Sequence, residues 1–178
     1  MSTRFTNGTN PVPGWNPSRV DQGVDGTLAG PYLAWHHGKV IFAEAHDPGW
    51  GGGGFVAVQV LGGRLDGCVI FVSEGVTPLV KVGQTVDKGQ RIANRATNPY
   101  NGIWGNIETG FSNPKAPSQP LAQTLQGYAG DQSVAGITAG CAMNTLIGEL
   151  GGRQGKNLSG HQPNWNLLPT QIRTGLGL

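Results

Sequence analysis

The sequence carries little charge, and what it has is not grouped. Charged residues make up 12% of the 178 positions and the net charge is +2. Nucleic-acid binding rests on clustered Lys and Arg that neutralise phosphates, so nucleic acid is excluded as the principal partner. No apolar run approaches the roughly 20 residues of a membrane span. The first residues, MSTRFTNGTNPVPG, lack the apolar centre of a secretory signal. The expectation is a soluble chain without a signal peptide, made in the cytoplasm. Cysteine is limited to Cys68 and Cys141, each in apolar surroundings. Two buried free thiols are expected there, and a pairing would need the fold to bring them together.

Glycine and proline are abundant instead, at 31 and 12 residues, with no collagen period and no low-complexity repeat. That composition suits a turn-rich β protein. Alternating apolar residues run through Val69 and Phe71, then Val80, Val82, Val86 and Ile92, punctuated by Gly83-Gln84 and Lys88-Gly89. The pattern predicts short half-buried strands joined by tight turns. Tyr32 to Trp35 and Gly38 to Ala43 read as a hairpin. Asp47 to Gly54 ends in four consecutive glycines and reads as a loop, because a strand interior tolerates glycine poorly. The sharper reading makes it the rim of a groove. Phe55 to Leu61 is the next strand.

Residues 1–18 carry three prolines and little periodicity, which predicts an extended arm. Beyond Phe111 the composition changes. Ser118 to Leu125 predicts two helical turns capped by Ser118. Between Asp131 and Leu150, Ala135, Ala139, Ala142, Met143, Leu146, Ile147 and Leu150 recur at three- and four-residue spacing. A helix over about 132–150 is predicted, with Asp131 as N-cap and Gly151-Gly152 as stop. Residues 153–178 read as irregular. The division is therefore an arm at 1–18, a β domain at 19–112 and a C-terminal extension at 113–178.

The segment Val80-Lys-Val-Gly-Gln-Thr-Val-Asp-Lys-Gly-Gln-Arg-Ile-Ala93 and the triplet Gly23-Val24-Asp25 resemble the lysostaphin-type peptidases, the M23 family of zinc metallopeptidases. The resemblance covers about residues 19–111. It implies an all-β core, a small barrel-like sandwich, here with a helical and irregular C-terminal extension. The family holds one zinc with HxxxD and the second His of HxH, and two further His assist water attack. Asp25 matches the family Asp, but Asp21 stands where the first ligand His belongs. Asn106 and Glu108 stand in place of HxH, and Glu74, six residues before Val80, replaces the remaining His. Zinc peptidase activity by the family mechanism is therefore not expected. The stretch R-x-D-Q-G-V-D with a trailing Gly- and Ala-rich helix is similar to variants encoded by phages of actinobacteria.

The replaced positions would gather Asp21, Asp25, Glu74 and Glu108 in one groove. Adjacent carboxylates cannot all ionise unless a cation or Arg19 offsets them. Three readings compete with the plain one of four turn or surface residues. Asp21, Asp25 and Glu108 would suit Ca²⁺ or Mg²⁺ rather than zinc. Glu74 and Glu108 would serve as acid and base on a glycosidic bond. Or the groove only binds, and needs no cofactor. His36, His37 and His46 are weaker metal candidates, and Trp35 and Trp104 are expected in packing. The first expectation is a non-peptidase binding or structural module, a phage virion or tail component whose groove faces the host cell wall. Its partners would be other virion subunits or copies of itself, docked through 1–18 and 153–178 with Trp15, Trp165 and Leu167 in the interface, and peptidoglycan. The alternative is a peptidoglycan hydrolase using the carboxylates or an unusual metal.

Overall fold

The computed structural model describes residues 14–97 and 106–178. Residues 1–13 of the expected arm, and Trp104, lie outside them. In chain order the strands are β1 (Trp15–Val20), β2 (Val24–Leu28), β3 (Tyr32–Leu33), β4 (Gly38–Asp47), β5 (Gly53–Val60), β6 (Val69–Glu74), β7 (Val76–Pro78), β8 (Thr85–Val86), β9 (Arg91–Arg95), β10 (Asn106–Asn113) and β11 (Ala116–Pro120). Helix α1 (Val134–Glu149), strand β12 (Lys156–Asn157) and helix α2 (Thr170–Leu176) follow. Among the described residues, β12-β1-β2-β10-β6-β5-β4-β8 form one sheet with β11 added on β10, and β3-β9-β7 form a second.

Period-two patterning sorts the large sheet into two faces. Val56, Val58, Ile70, Val72, Ile107 and Phe111 face the main core, together with Ala139, Met143, Leu146 and Ile147 of α1. Phe55, Ala57, Val69 and Phe71 face the other way and pack under Trp50. The Trp50 indole N–H donates to the Ser118 carbonyl of β11 at 3.0 Å, which holds β11 over this second face. Val80, Val86 and Ile92 are buried as their alternation predicts, whereas Val82 is 62% exposed on the turn.

Of the expected arm, Trp15 to Ser18 are extended and lie on the domain as part of β1, with Trp15 buried against the glycine face of β2. Several local expectations are corrected. Tyr32-Leu33 pairs with β9, so no hairpin joins it to β4; the β4 partner is β5. Tyr32 is drawn inward because its buried hydroxyl meets Thr109 Oγ1 at 2.6 Å and accepts from the Trp35 indole N–H. Gly53 and Gly54 lie inside β5, since the Val76 carbonyl fills the space a side chain on Gly54 would need. Residues 116–120 form an edge strand and Leu121–Thr124 a 3₁₀ turn in place of two helical turns. Pro117 and Pro120 are tolerated at such an edge. Ser133, not Asp131, caps α1, its hydroxyl accepting from the Gly136 N–H at 3.2 Å.

The tail is largely irregular, as expected, but it carries the short elements β12 and α2 and packs on its own domain. Strand β12 runs parallel to β1, pairing Lys156 with Arg19, and Leu168, Ile172 and Leu176 enter the main core. Trp165 and Leu167 pack against that same core. Arg64 pairs with Glu149, and the Gln171 amide donates to the Asp66 carbonyl, fixing the tail to the β5–β6 loop. Cys68 and Cys141 are unpaired, and burial pushes the Cys68 thiol up to about 11. Among the described residues no helix is long and apolar enough to cross a membrane.

Candidate functional site

The turn joining β1 to β2 brings Asp21 and Asp25 onto one side. The Asp21 N–H donates to the Gly23 carbonyl at 3.0 Å, and the Gly23 N–H donates to Asp21 Oδ1 at 3.2 Å. This side-chain-closed turn fixes the Asp21 carboxyl. Strand β10 lies antiparallel beside β2 with Glu108 directly opposite Asp25. Like charges at directly opposed positions repel, so the register itself sets up the conflict. Only glycine fits at 23, because a Cβ there would come within 2.5 Å of Glu108 Oε1 and 2.7 Å of the Thr109 carbonyl.

Asp21, Asp25 and Glu108 each place a carboxylate oxygen within 4.8 Å of the others. They are only 2%, 5% and 4% exposed, so the cluster is closed to a large substrate. Arg19 spans the two aspartates, its Nη2 at 3.1 Å from Asp21 Oδ2 and its Nε at 2.5 Å from Asp25 Oδ2. Glu108 Oε1 is buried without a hydrogen-bond partner. Burial, then the charge of Asp25, pushes the Asp21 carboxyl up to about 7. Burial also raises Asp25, though Arg19 opposes the rise. Burial first and the neighbouring Asp21 and Asp25 second drive Glu108 well above the carboxylate range.

Glu74 stands at the edge of this cluster and faces a different space. It ends β6 with a φ of 75°, and no other described non-glycine residue has a positive φ. That conformation is uncommon for a side-chain-bearing residue and re-aims it. The Asn106 amide donates to Glu74 Oε2 at 2.5 Å. Burial, followed by the charge of Asp25, lifts the Glu74 carboxyl to about 7, with the Asn106 bond acting against the rise. Glu74 lines a groove of about 290 Å³ together with His46, Gly52 to Gly54, Thr77 and Thr97. The glycine run is thus part of a groove wall.

The four sequence-derived carboxylates therefore divide in two: Asp21, Asp25 and Glu108 in a buried cluster, and Glu74 on the open groove, electrostatically coupled to all three. His46 reaches the groove and sets its Nδ1 at 3.2 Å from the Gly52 carbonyl, while His37 meets Asp87 on the surface. His36 is buried, and burial, then Lys88 and Arg64, lowers it to about 4. Sequence reasoning missed the contribution of the C-terminal extension. The Tyr128 hydroxyl donates to Asp131 Oδ1 at 2.5 Å and reaches Gln22 Oε1 at 3.4 Å, and the Gln123 amide donates to Gln22 at 3.1 Å. Gly140 of α1 packs on the turn so closely that a Cβ would lie 2.5 Å from the Gly23 carbonyl. Gln123, Tyr128, Asp131 and Gly140 all lie beyond the stretch, residues 19–111, that carried the peptidase motifs.

Zinc fits this cluster poorly. Three carboxylates with neither imidazole nor thiolate form a hard donor set, and zinc sites characteristically include nitrogen or sulfur ligands beside any carboxylate.

No family model matches the sequence, and no curated protein matches it. Solved structures do resemble it in shape. The solution structure of lysostaphin superposes with a TM-score of 0.52 at 16% identity, over 84% of this chain and 57% of that one. The chain thus spans little more than half the length of the lysostaphin structure. LytU gives a TM-score of 0.42 at 16% identity, over 72% of this chain and 94% of that one. With its two-faced, mostly antiparallel sheet, the small second sheet and the helical C-terminal part, the chain has a lysostaphin-type, M23-like fold.

Proposed function

We propose that this chain is a non-peptidase binding module on a lysostaphin-like fold, working as a phage virion or tail component whose groove is directed at the host cell wall. One observation carries the reading. The positions that resemble the peptidase zinc site hold Asp21, Asp25 and Glu108, buried at 5% exposure or less, with the two aspartates bridged by Arg19. A hydrolytic metal centre needs an open coordination position for water and substrate, and this arrangement supports none. The open feature is the neighbouring groove, where glycine backbone, Glu74, His46 and two threonines offer polar contacts to an extended polymer. The virion assignment rests on the sequence resemblance to phage-encoded variants. It draws nothing from the tail, whose apolar residues are satisfied within the chain.

Co-sedimentation with purified bacterial sacculi tests binding, and release of reducing ends and free amines tests cleavage. Binding without release, weakened by a bulky Thr77→Trp change in the groove, is the expected result. Sacculus cleavage would overturn it. Absence of binding by the folded protein would overturn it too. Recovery of the chain in purified particles tests the virion assignment separately.

A second reading has its own support. A half-buried carboxyl held near 7 beside a groove is suited to general-acid chemistry on a glycosidic bond. Glu108 is the partner that reading invokes, but its burial leaves Glu74 alone on the groove. Cleavage that disappears in Glu74→Gln would favour this hydrolase.

A further inference from the structure

The buried cluster carries more negative groups than the described chain neutralises. Asp21, Asp25 and Glu108 contribute three carboxylates, and Arg19 contributes one guanidinium. Fully ionised, the group keeps two uncompensated negative charges. Arg19 engages only the Oδ2 oxygens of the two aspartates, and Asp21 Oδ1 takes the Gly23 N–H. Glu108 Oε1, 4% exposed as a residue, lies against Gly23 in the turn between Asp21 and Asp25, with no hydrogen-bond partner. A buried acceptor left unmatched costs about 1–3 kcal/mol, and more when charged. Such an atom within a closed set of carboxylates calls for a ligand.

We propose that Asp21, Asp25 and Glu108 form a binding site for one hard divalent cation of the Ca²⁺ class, with Arg19 retained beside it across the outer oxygens. The separation agrees with this size of ion. Ligand oxygens within 4.8 Å of one another can surround a single centre at the roughly 2.4 Å of a Ca²⁺–oxygen bond. Mg²⁺ demands near-ideal octahedral geometry, whereas Ca²⁺ accepts irregular geometry and bidentate carboxylates, which suits three carboxylates held in place by their strands and turn. Zinc is disfavoured by the donor chemistry. A divalent ion would cancel the two surplus charges, and it would keep all three carboxylates ionised. Its role is to lock β1, β2 and β10 together, which is independent of what the groove binds.

The test is calorimetric titration with CaCl₂, MgCl₂ and ZnCl₂, beside thermal unfolding with each salt and with EDTA. One Ca²⁺ per chain and a raised melting temperature are expected, with Mg²⁺ weaker. Arg19→Gln removes a neighbouring positive charge and should bind Ca²⁺ more tightly. Glu108→Gln should abolish binding, and Asp25→Asn serves the same purpose if that variant does not fold. No Ca²⁺ binding by either the natural chain or Arg19→Gln overturns the proposal. So does Ca²⁺ binding that survives in both carboxylate variants, or tighter binding of zinc through the same residues. Sacculus binding measured in EDTA separates this result from the groove reading.

Discussion

Arg19 Nε stands 2.5 Å from Asp25 Oδ2, linking strand β1 to the centre of the acidic cluster. The same guanidinium reaches Asp21, and its side chain is 55% exposed while both aspartates are buried. An exposed surface pair contributes little, but these carboxylates lose their counter-charge inside the protein if Arg19 is removed. In EDTA, Arg19→Gln is expected to cost about 1–2 kcal/mol, a value discounted for exposure from the 3–5 of a fully buried pair. Arg19→Lys should recover only part of it, since a point charge cannot span two carboxylates as a planar fork does. Urea denaturation of the three proteins checks this, and equal stability of Arg19→Gln would refute it.

Glu74 should titrate near neutrality. Its carboxyl is lifted to about 7, first by burial and then by Asp25, and is held down by the Asn106 amide. Carbon-detected NMR in EDTA should place the Glu74 midpoint near that value. Asn106→Ala should move it up, because the charged form loses a donor. A midpoint in the ordinary carboxylate range would show that the groove is wetter than its geometry implies.

His36 gives the acid limb of stability. Burial, with Lys88 and Arg64 nearby, lowers its folded value to about 4 from the ordinary 6.5. The unfolded chain therefore binds a proton first, and stability present above about pH 6.5 falls as the pH drops towards 4. The gap corresponds to about 3 kcal/mol at full expression. His36→Gln should flatten this part of the profile relative to the natural chain, read as the difference between the two melting curves from pH 7 to pH 4. Parallel profiles would remove His36 as the cause.

Gly140→Ala sets two effects against each other. Alanine gains about 1 kcal/mol of helix propensity over glycine. The new Cβ, however, would press on the Asp21 and Gly23 carbonyls, which are backbone and cannot turn aside. Overpacking costs typically about 1–3 kcal/mol, so net destabilisation is expected, with weakened Ca²⁺ binding because the Asp21 turn must shift. A stabilised variant would mean that α1 has room to move.

Removing residues 153–178 is expected to unfold the domain. Leu168, Ile172 and Leu176 are each 5% exposed or less. At about 1.5–3 kcal/mol each, their loss approaches the whole stability of a typical domain, roughly 5–15 kcal/mol. Circular dichroism of the truncated chain settles it; a cooperative melt would contradict the packing.

The strands of the middle of the chain were legible because their signals are local. Val80, Val86 and Ile92 alternate, and Gly83 and Gly89, with φ of 89° and 83°, mark their turns. The convergence of Asp21, Asp25 and Glu108 was legible through the same motifs, which place β2 against β10 in fixed register. Helix α1 was legible from the three- and four-residue spacing of Ala135 to Ile147, but the tail beyond it was not, because its cues are not periodic in an obvious way. Leu168, Ile172 and Leu176 do recur every four residues, but a short helix among Asn, Gln and Gly gave too little pattern to weigh. Gly140 contacts the Asp21 turn through backbone alone, and a glycine carries no sign of what will lie against it. Glu74 stands opposite Ile107 while Glu108 stands opposite Ser73, and neighbouring strand positions point to opposite faces, a register that motif spacing does not encode.

The parallel pairing of β12 with β1 bears on the order of events during synthesis. Strand β1 is among the first described parts of the chain to leave the ribosome, yet Arg19 finds its strand partner only at Lys156. The turn at Asp21 is likewise sealed by Gly140. A nascent chain therefore exposes these aspartates to water, at ordinary acidity, until residues 140–156 have been made. Contacts of such long sequence separation slow folding. The earliest residues of the acidic cluster thus wait for the C-terminal half before they can be enclosed.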